Sequence, residues 1–347
     1  MKKSLALFLG LLAISLSWNP CLVADEVQEK KVEAYSPEMA KIKKYFDGAN
    51  LLDHSEFSAE GDNEYLYSFP DLFEYDENDE ELDVEEFQIG SIKNLDIKKI
   101  HSIFIYKYCI DSAFMDMLYL FSDVKTLKFY ACTFADSVEC DWSHFRSLEY
   151  LCLDDCSKVP SDVLKSAPMC PKLEALSITI SFNNYKSIVS DCNKLPALCE
   201  LYLDIDLQKG FPPNFEILSY ISKNTREKIR NLDLTVPVTD KTAHYLHQFP
   251  NLKRLGIQGH HRPDVGKTVT DDFILQISDI PLEALQIPMS AITKKSIPAL
   301  KEWKSLKLLF LSLTRITPSQ MEEIETSRDW EFFECDPRPR KTAIHEK

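Results

Sequence analysis

Residues 198–206 read LCELYLDID, and residues 173–181, one repeat earlier in the chain, read LEALSITIS. Apolar side chains occupy the first, fourth and sixth positions of both stretches, and the ninth is small or polar. The fourth and sixth positions are two residues apart, so their side chains point to the same side of a strand. The pattern therefore predicts a short strand that buries one face.

The same pattern recurs along most of the chain, with 23 to 31 residues between one start and the next. Its starts are Ile100, Val124, Leu148, Leu173, Leu198, Ile229, Leu252, Leu282 and Leu306. Between the strands, segments such as 240–248 and 318–326 follow a residue suited to a helix N-cap and carry apolar residues three and four apart. Alternating strands and helices at this period predict stacked repeats that share one core, because a single repeat cannot bury its apolar face.

One repeat carries a specific resemblance. Thr314-Arg315-Ile316-Thr317, followed by Met321 and Ile324, resembles the T-x-V/I-T-D-x-x-L repeats of exported bacterial leucine-rich-repeat proteins. The resemblance covers about residues 100 to 326 and departs from that pattern in its few glycines and in two long repeats near 207–228 and 260–281. It implies an α/β leucine-rich-repeat solenoid, with a curved parallel sheet on the concave side, helices and turns on the convex side, and a role in binding.

The resemblance also assigns a role to the residue eight positions after each start. In such repeats this residue bonds the backbone where the chain turns away from the strand. Tyr108 and Pro237 do not fit the role. The residues that do fit it are Cys132, Cys156, Ser181, Asp206, Ser290 and Thr314.

The two ends of the chain do not repeat. Residues 1–24 have a short basic start, an apolar run from Leu5 to Leu16 and a small residue before Asp25, which is the layout of a signal peptide. A retained anchor helix is the alternative, and lipidation at Cys21 is disfavoured by the Asn-Pro before it. Residues 25–99 are interpreted as an N-terminal cap with a helix over 36–46 and an acidic loop, 100–328 as about nine repeats, and 329–347 as a closing strand and a tail.

Charge and cysteine content narrow the partners and the chemistry. The formal net charge is −15. Ten acids without a base lie between Asp71 and Glu86. An acidic surface disfavours nucleic acid and favours a basic or mixed-charge protein partner. A calcium site in this run would need a turn glycine that it lacks, so a solvated loop is preferred.

The nine cysteines after Cys21 form no CxxC pair and are interpreted mainly as packing residues.

No pattern in the chain points to catalysis, a cofactor or a metal. Nucleophile elbows, phosphate-binding glycine loops and dinucleotide fingerprints are absent from the sequence. His260 and His261 with Asp264 are a weak metal candidate, because adjacent residues of an extended chain face opposite ways. We therefore expect a protein without catalytic activity, cofactor or metal site.

The remaining candidate is the concave face, formed by the residues between the buried positions of each strand. Parallel strands lie about 4.8 Å apart, so Asp154 and Asp204, two strands apart in one column, should be separated by roughly 10 Å. Tyrosine is enriched at protein interfaces. The partner-binding residues predicted on this face are Tyr106, Tyr130, Tyr150, Asp154, Tyr202, Asp204 and Asp233.

The function predicted from the sequence is protein–protein interaction by a non-catalytic protein outside the cytoplasm, either secreted or in the periplasm or cell envelope, without stable membrane insertion once the signal is removed. The alternative is an envelope scaffold that binds glycan or cell-wall polymer through the aromatic residues of the same face. A third reading, in which outward strand positions are aromatic only because strands favour such residues, gives the face no function.

Overall fold

The computed structural model describes residues 100–181, 184–205, 216–236, 238–257, 267–312 and 314–334, together with four strand backbones before residue 100. Those four are β1 (Asn50–Asp53), β2 (Glu64–Ser68), β3 (Glu74–Tyr75) and β4 (Glu81–Leu82). The predicted signal peptide, the helix over 36–46, the His260–His261 pair and the tail after Glu334 lie outside the described residues.

The centre of the fold is a twelve-stranded sheet in the order β1-β2-β5-β7-β9-β10-β11-β12-β13-β14-β15-β16. From β2 to β16 every neighbouring pair is parallel. The strands after β4 in this sheet are β5 (Ile100–Tyr106), β7 (Thr126–Tyr130), β9 (Tyr150–Asp154), β10 (Ala175–Ile180), β11 (Glu200–Ile205), β12 (Asn231–Thr235), β13 (Arg254–Ile257), β14 (Ala284–Gln286), β15 (Leu308–Phe310) and β16 (Phe332–Glu334).

The three apolar positions of the repeat form the inner face of this sheet. In all nine copies their side chains are at most 2% exposed. Register explains this uniformity, because Leu176 pairs with Leu201 and Ile178 with Leu203, so equivalent residues stack along the sheet. The core lies between this inner face and the return segments. We call the opposite face, which the sequence predicts to be concave, the open face.

Short helices return the chain between strands. They are α1 (Ser112–Leu118), α2 (Tyr185–Cys192), α3 (Lys223–Arg226), α4 (Asp240–Leu246), α5 (Asp271–Ile277), α6 (Ile297–Glu302) and α7 (Pro318–Glu325). Asp111, Thr239 and Thr270 cap α1, α4 and α5 by accepting hydrogen bonds from first-turn backbone N–H groups. The return segments after β7 and β9 are not α-helical. They contain single 3₁₀ turns at Trp142–His144 and Ala167–Met169, where Pro168 removes one backbone donor.

The chain leaves the first three repeat strands through a left-handed residue. Lys107, Ala131 and Asp155 have φ of 49°, 54° and 53°. Two-residue strands follow after β5 and β7. β6 (Cys109–Ile110) and β8 (Thr133–Phe134) pair in parallel, which extends the repeat stacking beyond the sheet.

The role assigned to the ninth repeat position holds for some residues and fails for one. Cys132 Sγ and Cys156 Sγ donate to the Ile105 and Phe129 carbonyls at 3.5 and 3.4 Å, and Thr314 Oγ1 accepts from the Ile316 N–H. Ser290 is fully buried, yet its hydroxyl has no hydrogen-bond partner among the described residues. The serine side chain is shorter than the asparagine usual at this site, so the expectation for Ser290 was wrong. Asp206 and Pro237 lie outside the described residues.

The N-terminal end of the sheet is covered by two further strands. β2 runs parallel to β5, and β1 pairs antiparallel with β2. The acidic run, expected to be a loop, contains a two-stranded antiparallel pair, in which Glu74 lies opposite Leu82 and Tyr75 opposite Glu81. The alternation of acids with Tyr75 and Leu82 is compatible with such a pair, and the run therefore has backbone pairing that its charge alone did not suggest.

The order of strands and helices and the buried repeat positions confirm the predicted α/β leucine-rich-repeat solenoid. Among the described residues, no helix has the length and apolar character needed to cross a membrane.

Candidate interaction surface

The open face is organised in columns that run across the strands. One column pairs Phe104 with Lys128, Lys128 with Cys152, and Cys152 with Ser177, and it continues through Tyr202, Asp233 and Gly256. A second column contains Tyr106, Tyr130 and Asp154, and then Thr179, Asp204 and Thr235. We call the seven predicted residues on these strands the tyrosine–aspartate patch. It extends over six neighbouring strands, or about 24 Å at the usual strand spacing.

The Asp154 carboxylate accepts hydrogen bonds from two neighbouring side chains. The Ser177 hydroxyl lies 2.7 Å from its Oδ1 and 2.8 Å from its Oδ2, and Cys152 Sγ donates to Oδ2 at 3.1 Å. Burial raises the pKa of Asp154, the hydrogen bonds from Ser177 and Cys152 lower it, the charge of Asp204 raises it, and the net pKa lies above its ordinary value. The hydrogen bonds thus fix the carboxylate in place, while burial removes part of the solvation of its charge.

Asp204 lies in the same column as Asp154, with Thr179 between them. Thr179 Oγ1 donates to Asp204 Oδ2 at 3.1 Å and accepts the Asp155 N–H at 2.8 Å. Thr179 is 7% exposed, so both hydrogen bonds are largely shielded from solvent. The register therefore places Asp154 and Asp204 in one column, and Thr179 joins Asp204 to the backbone N–H of Asp155, the residue after Asp154.

Lys128 lies on β7 among the residues of the patch, and the sequence prediction did not include it. Its Nζ lies 4.7 Å from the Phe104 ring centroid and 5.2 Å from the Tyr150 ring centroid, which are cation–π distances. Burial lowers the pKa of Lys128, and the neighbouring Cys152 and Asp154 oppose this shift. Its position between aromatic residues of the flanking strands, one column from Asp154, was the signal in the sequence that could have identified it.

The tyrosines of β5 and β7 form one unit. The rings of Tyr106 and Tyr130 stack with centroids 5.7 Å apart and an angle of 9° between their planes. Tyr130 is 47% exposed, whereas most large apolar or aromatic side chains of the repeats are buried. Lys107 Nζ lies 5.0 Å from the Tyr106 centroid on this unit. A flat, exposed aromatic surface results at this end of the patch.

Tyr150 and Tyr202 are less exposed and have different neighbours. Burial raises the pKa of Tyr150 well above its ordinary value, and the charge of Asp154 adds to the shift. Tyr202 donates to Glu200 Oε2 at 3.2 Å, and burial together with Glu200 and Asp233 raises its pKa. Tyr150 therefore lies near Asp154, whereas Tyr202 belongs to a neighbouring group with Glu200 and Asp233.

Asp233 completes that neighbouring group. A Cβ placed on Gly256 would lie 2.3 Å from Asp233 Oδ2, so the carboxylate lies over the glycine of the next strand. The charge of Arg254, two residues before Gly256, lowers the pKa of Tyr202 and opposes the effect of Asp233. Gly256 is therefore required to make room for an acid, and Arg254 is a second base that the sequence prediction left out.

Other candidate sites in the described residues lack comparable organisation. No cluster of three or more histidine, cysteine or acidic side chains suited to a metal ion occurs there. Two open clefts of about 440 Å³ lie outside the patch, one bordered by Glu174, Cys199 and Arg230 and the other by Arg226 and His247. His247 instead bonds the Ala243 carbonyl and Asp279 Oδ1, at 2.8 and 2.9 Å, which is a structural role between repeats.

Comparison with known proteins gives only distant likeness. No family model and no curated protein matches the chain. A solved structure from Bacteroides fragilis shares 18% identity, over 70% of this chain and 67% of that one, with a TM-score of 0.38. An internalin from Listeria monocytogenes shares 11%, over 70% and 91%, with a TM-score of 0.28. Matches this weak carry no argument, and the assignment rests on the nine buried repeats. The chain has the leucine-rich-repeat fold. This leucine-rich-repeat protein offers its open face, and not a cleft, as the candidate site.

Proposed function

We propose that this leucine-rich-repeat protein binds another protein through the tyrosine–aspartate patch of its open face. The observation that carries the proposal is the position of the exposed Tyr130 ring beside the half-buried carboxylate of Asp154. Aromatic anchors surrounded by partly desolvated polar groups are typical of the energetic centres of protein interfaces.

The electrostatics of the patch favour a basic group on the partner. The raised pKa of Asp154 means that its ionised form is poorly solvated in the unbound protein. A lysine or arginine from a partner would stabilise the ionised form and gain a charge-assisted hydrogen bond. The net charge of −15 also speeds association with a basic surface at low salt. The partner class is therefore a basic or mixed-charge protein and not a nucleic acid.

The breadth of the patch suits a standard interface. Six strands at about 4.8 Å spacing give a width near 24 Å, and the roughly 800 Å² that each partner contributes to a typical complex corresponds to a square about 28 Å on a side. We place this binding in the secreted, periplasmic or envelope compartment, on the basis of residues 1–24. In this proposal the protein is non-catalytic.

The test is affinity capture with patch variants and a control of the same chemistry. Wild type, Tyr130→Ala, Asp204→Ala and Tyr220→Ala would be immobilised and exposed to secreted and envelope fractions of the source organism. Tyr220 is 43% exposed in the return segment before α3, on the other side of the core. The proposal expects one protein to be retained by wild type and Tyr220→Ala, released as salt rises, and lost with both patch variants. Equal retention by all four proteins would refute it.

Glycan binding is the second candidate, and the exposed, stacked Tyr106–Tyr130 unit favours it. Sugar rings can pack on a flat aromatic surface without help from charge. In the same capture experiment, this function predicts retention of polymer that resists salt, is lost with Tyr130→Ala and survives Asp204→Ala. The two functions are thus separated by the Asp204 variant and by the salt response.

A further inference from the structure

Two cysteines occupy equivalent places in consecutive repeats. Tyr130 lies opposite Asp154 in the ladder between β7 and β9, and Thr133 forms a bridge with Ser157 just beyond it. Cys132 and Cys156 lie between these two pairs on their respective chains and are therefore in register. Neighbouring parallel strands are about 4.8 Å apart, which falls within the roughly 4.4–6.8 Å between the Cα atoms of disulfide-bonded cysteines.

The two side chains also point in the same direction. Cys132 Sγ donates to the Ile105 carbonyl and Cys156 Sγ to the Phe129 carbonyl, each one repeat back along the sheet. Register and side-chain direction therefore place the two sulfurs side by side on consecutive repeats, and both residues are free thiols.

We propose that Cys132 and Cys156 form a disulfide that links two consecutive repeats when the protein meets a disulfide oxidant. Cys132 is fully buried and Cys156 is half-buried, so the oxidant reaches Cys156 first. Attack by Cys156 Sγ breaks the oxidant's S–S bond, forms a mixed disulfide and releases one thiol.

Cys132 Sγ completes the reaction by attacking the Cys156 sulfur. This step forms the Cys132–Cys156 bond and releases the second oxidant thiol. The two cysteines are oxidised, the oxidant disulfide is reduced to two thiols, and the two cysteine protons are carried by those thiols. No other reactant is required.

The position of this bond links it to the open face. Each cysteine is two residues after a member of the patch, Tyr130 or Asp154. The left-handed residues Ala131 and Asp155 lie between. A disulfide would fix the spacing of the two turns that follow these patch residues. The inference does not depend on the proposed function, because it concerns thiols on the inner side of the turn.

The other described cysteines provide internal controls. Cys192 is buried, so the oxidant does not reach its thiol directly. Cys109 is exposed and can accept a mixed disulfide. Its aligned neighbour in the next repeat is Thr133, so no thiol at that position resolves the mixed disulfide.

The experiment treats the full chain with glutathione disulfide, alkylates the remaining thiols, digests the protein and identifies the peptides by mass spectrometry. We expect a linked pair containing Cys132 and Cys156, lighter than the reduced peptides by two hydrogens. The Cys132→Ser variant should instead hold glutathione on Cys156, because the resolving sulfur has been removed. The Cys109→Ser variant should form the linked pair as wild type does.

Two outcomes would overturn the proposal. One is the recovery of Cys132 and Cys156 alkylated, or of Cys156 joined to a different cysteine, from wild-type protein that has reacted at Cys109. The other is retention of glutathione on Cys156 in wild type as fully as in Cys132→Ser. Because the wild-type result is sufficient by itself, a folding defect in either serine variant would not leave the question open.

Discussion

Ser177 and Asp154, on adjacent strands of the sheet, are joined at both carboxylate oxygens, with the Ser177 hydroxyl 2.7 Å from Oδ1 and 2.8 Å from Oδ2. This contact orients the carboxylate but does not neutralise it, and Asp204 in the same column repels its charge. The open face therefore contains an acid whose ionised form is less stable in the folded protein than in the unfolded one. Functional sites commonly retain such groups at the expense of stability.

Replacement of this acid should stabilise the fold at neutral pH. The pKa of Asp154 is raised, so the folded protein favours the protonated form, and stability is lost as the pH rises through the folded-state pKa. Asp154→Asn should raise the free energy of unfolding at pH 7, and this gain should vanish near pH 3, where both states are protonated. Urea denaturation at the two pH values measures the difference. The control is Asp136→Asn, since Asp136 is 91% exposed and forms only a surface pair with Lys158. A destabilised Asp154→Asn at pH 7 would contradict this account.

The same substitution should have opposite effects at two alanines. Ala131 has φ of 54°, a region that costs an L-residue about 1–2 kcal/mol and costs glycine nothing. After about 0.4–1 kcal/mol for the greater freedom of glycine in the unfolded chain, Ala131→Gly should gain about 0.5 kcal/mol. Ala113, exposed in α1, should lose about 1 kcal/mol on replacement by glycine. Chemical denaturation of both variants tests the pair, and a loss at Ala131 would be inconsistent with the left-handed turn.

Arg328 should be important for the C-terminal end of the solenoid. Its guanidinium donates to the Trp303 carbonyl at 2.6 Å, to Leu306 at 3.1 Å and to Leu300 at 2.7 Å, and it also bonds the Lys301 carbonyl. These carbonyls lie at and beyond the end of α6. Arg328→Ala should destabilise the protein by about 2–4 kcal/mol, because charge-assisted bonds are lost and carbonyl groups are left unsatisfied. Thermal unfolding provides the measurement. The exposed Arg315→Ala should change stability by less than about 0.5 kcal/mol.

Two buried serines should respond differently to alanine. Ser290 Oγ has no partner in the described part of the chain, so Ser290→Ala should be neutral or should stabilise by up to about 1 kcal/mol. Ser296 Oγ donates to Asp271 Oδ1 at 2.5 Å, and its removal should cost about 1–2 kcal/mol. Equal losses in the two variants, measured by urea denaturation, would mean that Ser290 has a partner in solution.

The repeat fold could be predicted from the sequence because its signal is redundant. Nine copies place apolar residues at the same three positions, and parallel register then fixes which side chains reach the open face. Asp154 and Asp204 fall in one column for that reason alone. The repeat pattern alone was not sufficient to recognise Lys128 as part of this surface. Lys128 faces outward with Thr126 and Tyr130, a position that usually indicates solvent, and its aromatic neighbours Phe104 and Tyr150 on the flanking strands leave it partly buried.

Contacts that depend on side-chain length could also not be predicted from the repeat pattern. Ser290 matches the type of residue expected after the strand but bonds nothing described, whereas Cys132 and Cys156 do reach a carbonyl. Gly256 is another example, because its role depends on Asp233 of the preceding strand lying over it. Such facts follow from distances between strands and not from the order of residues within one.

The most direct test of the central claim, that the open face binds the partner, is photo-crosslinking from single positions. A benzophenone amino acid would replace Tyr130 on the open face or Met169, which is 67% exposed in the return segment after β9. After illumination with the secreted and envelope fractions, position 130 should yield one protein adduct of defined mass that salt and Asp204→Ala suppress, and position 169 should yield none. A specific adduct at position 169 with none at position 130 would contradict the account.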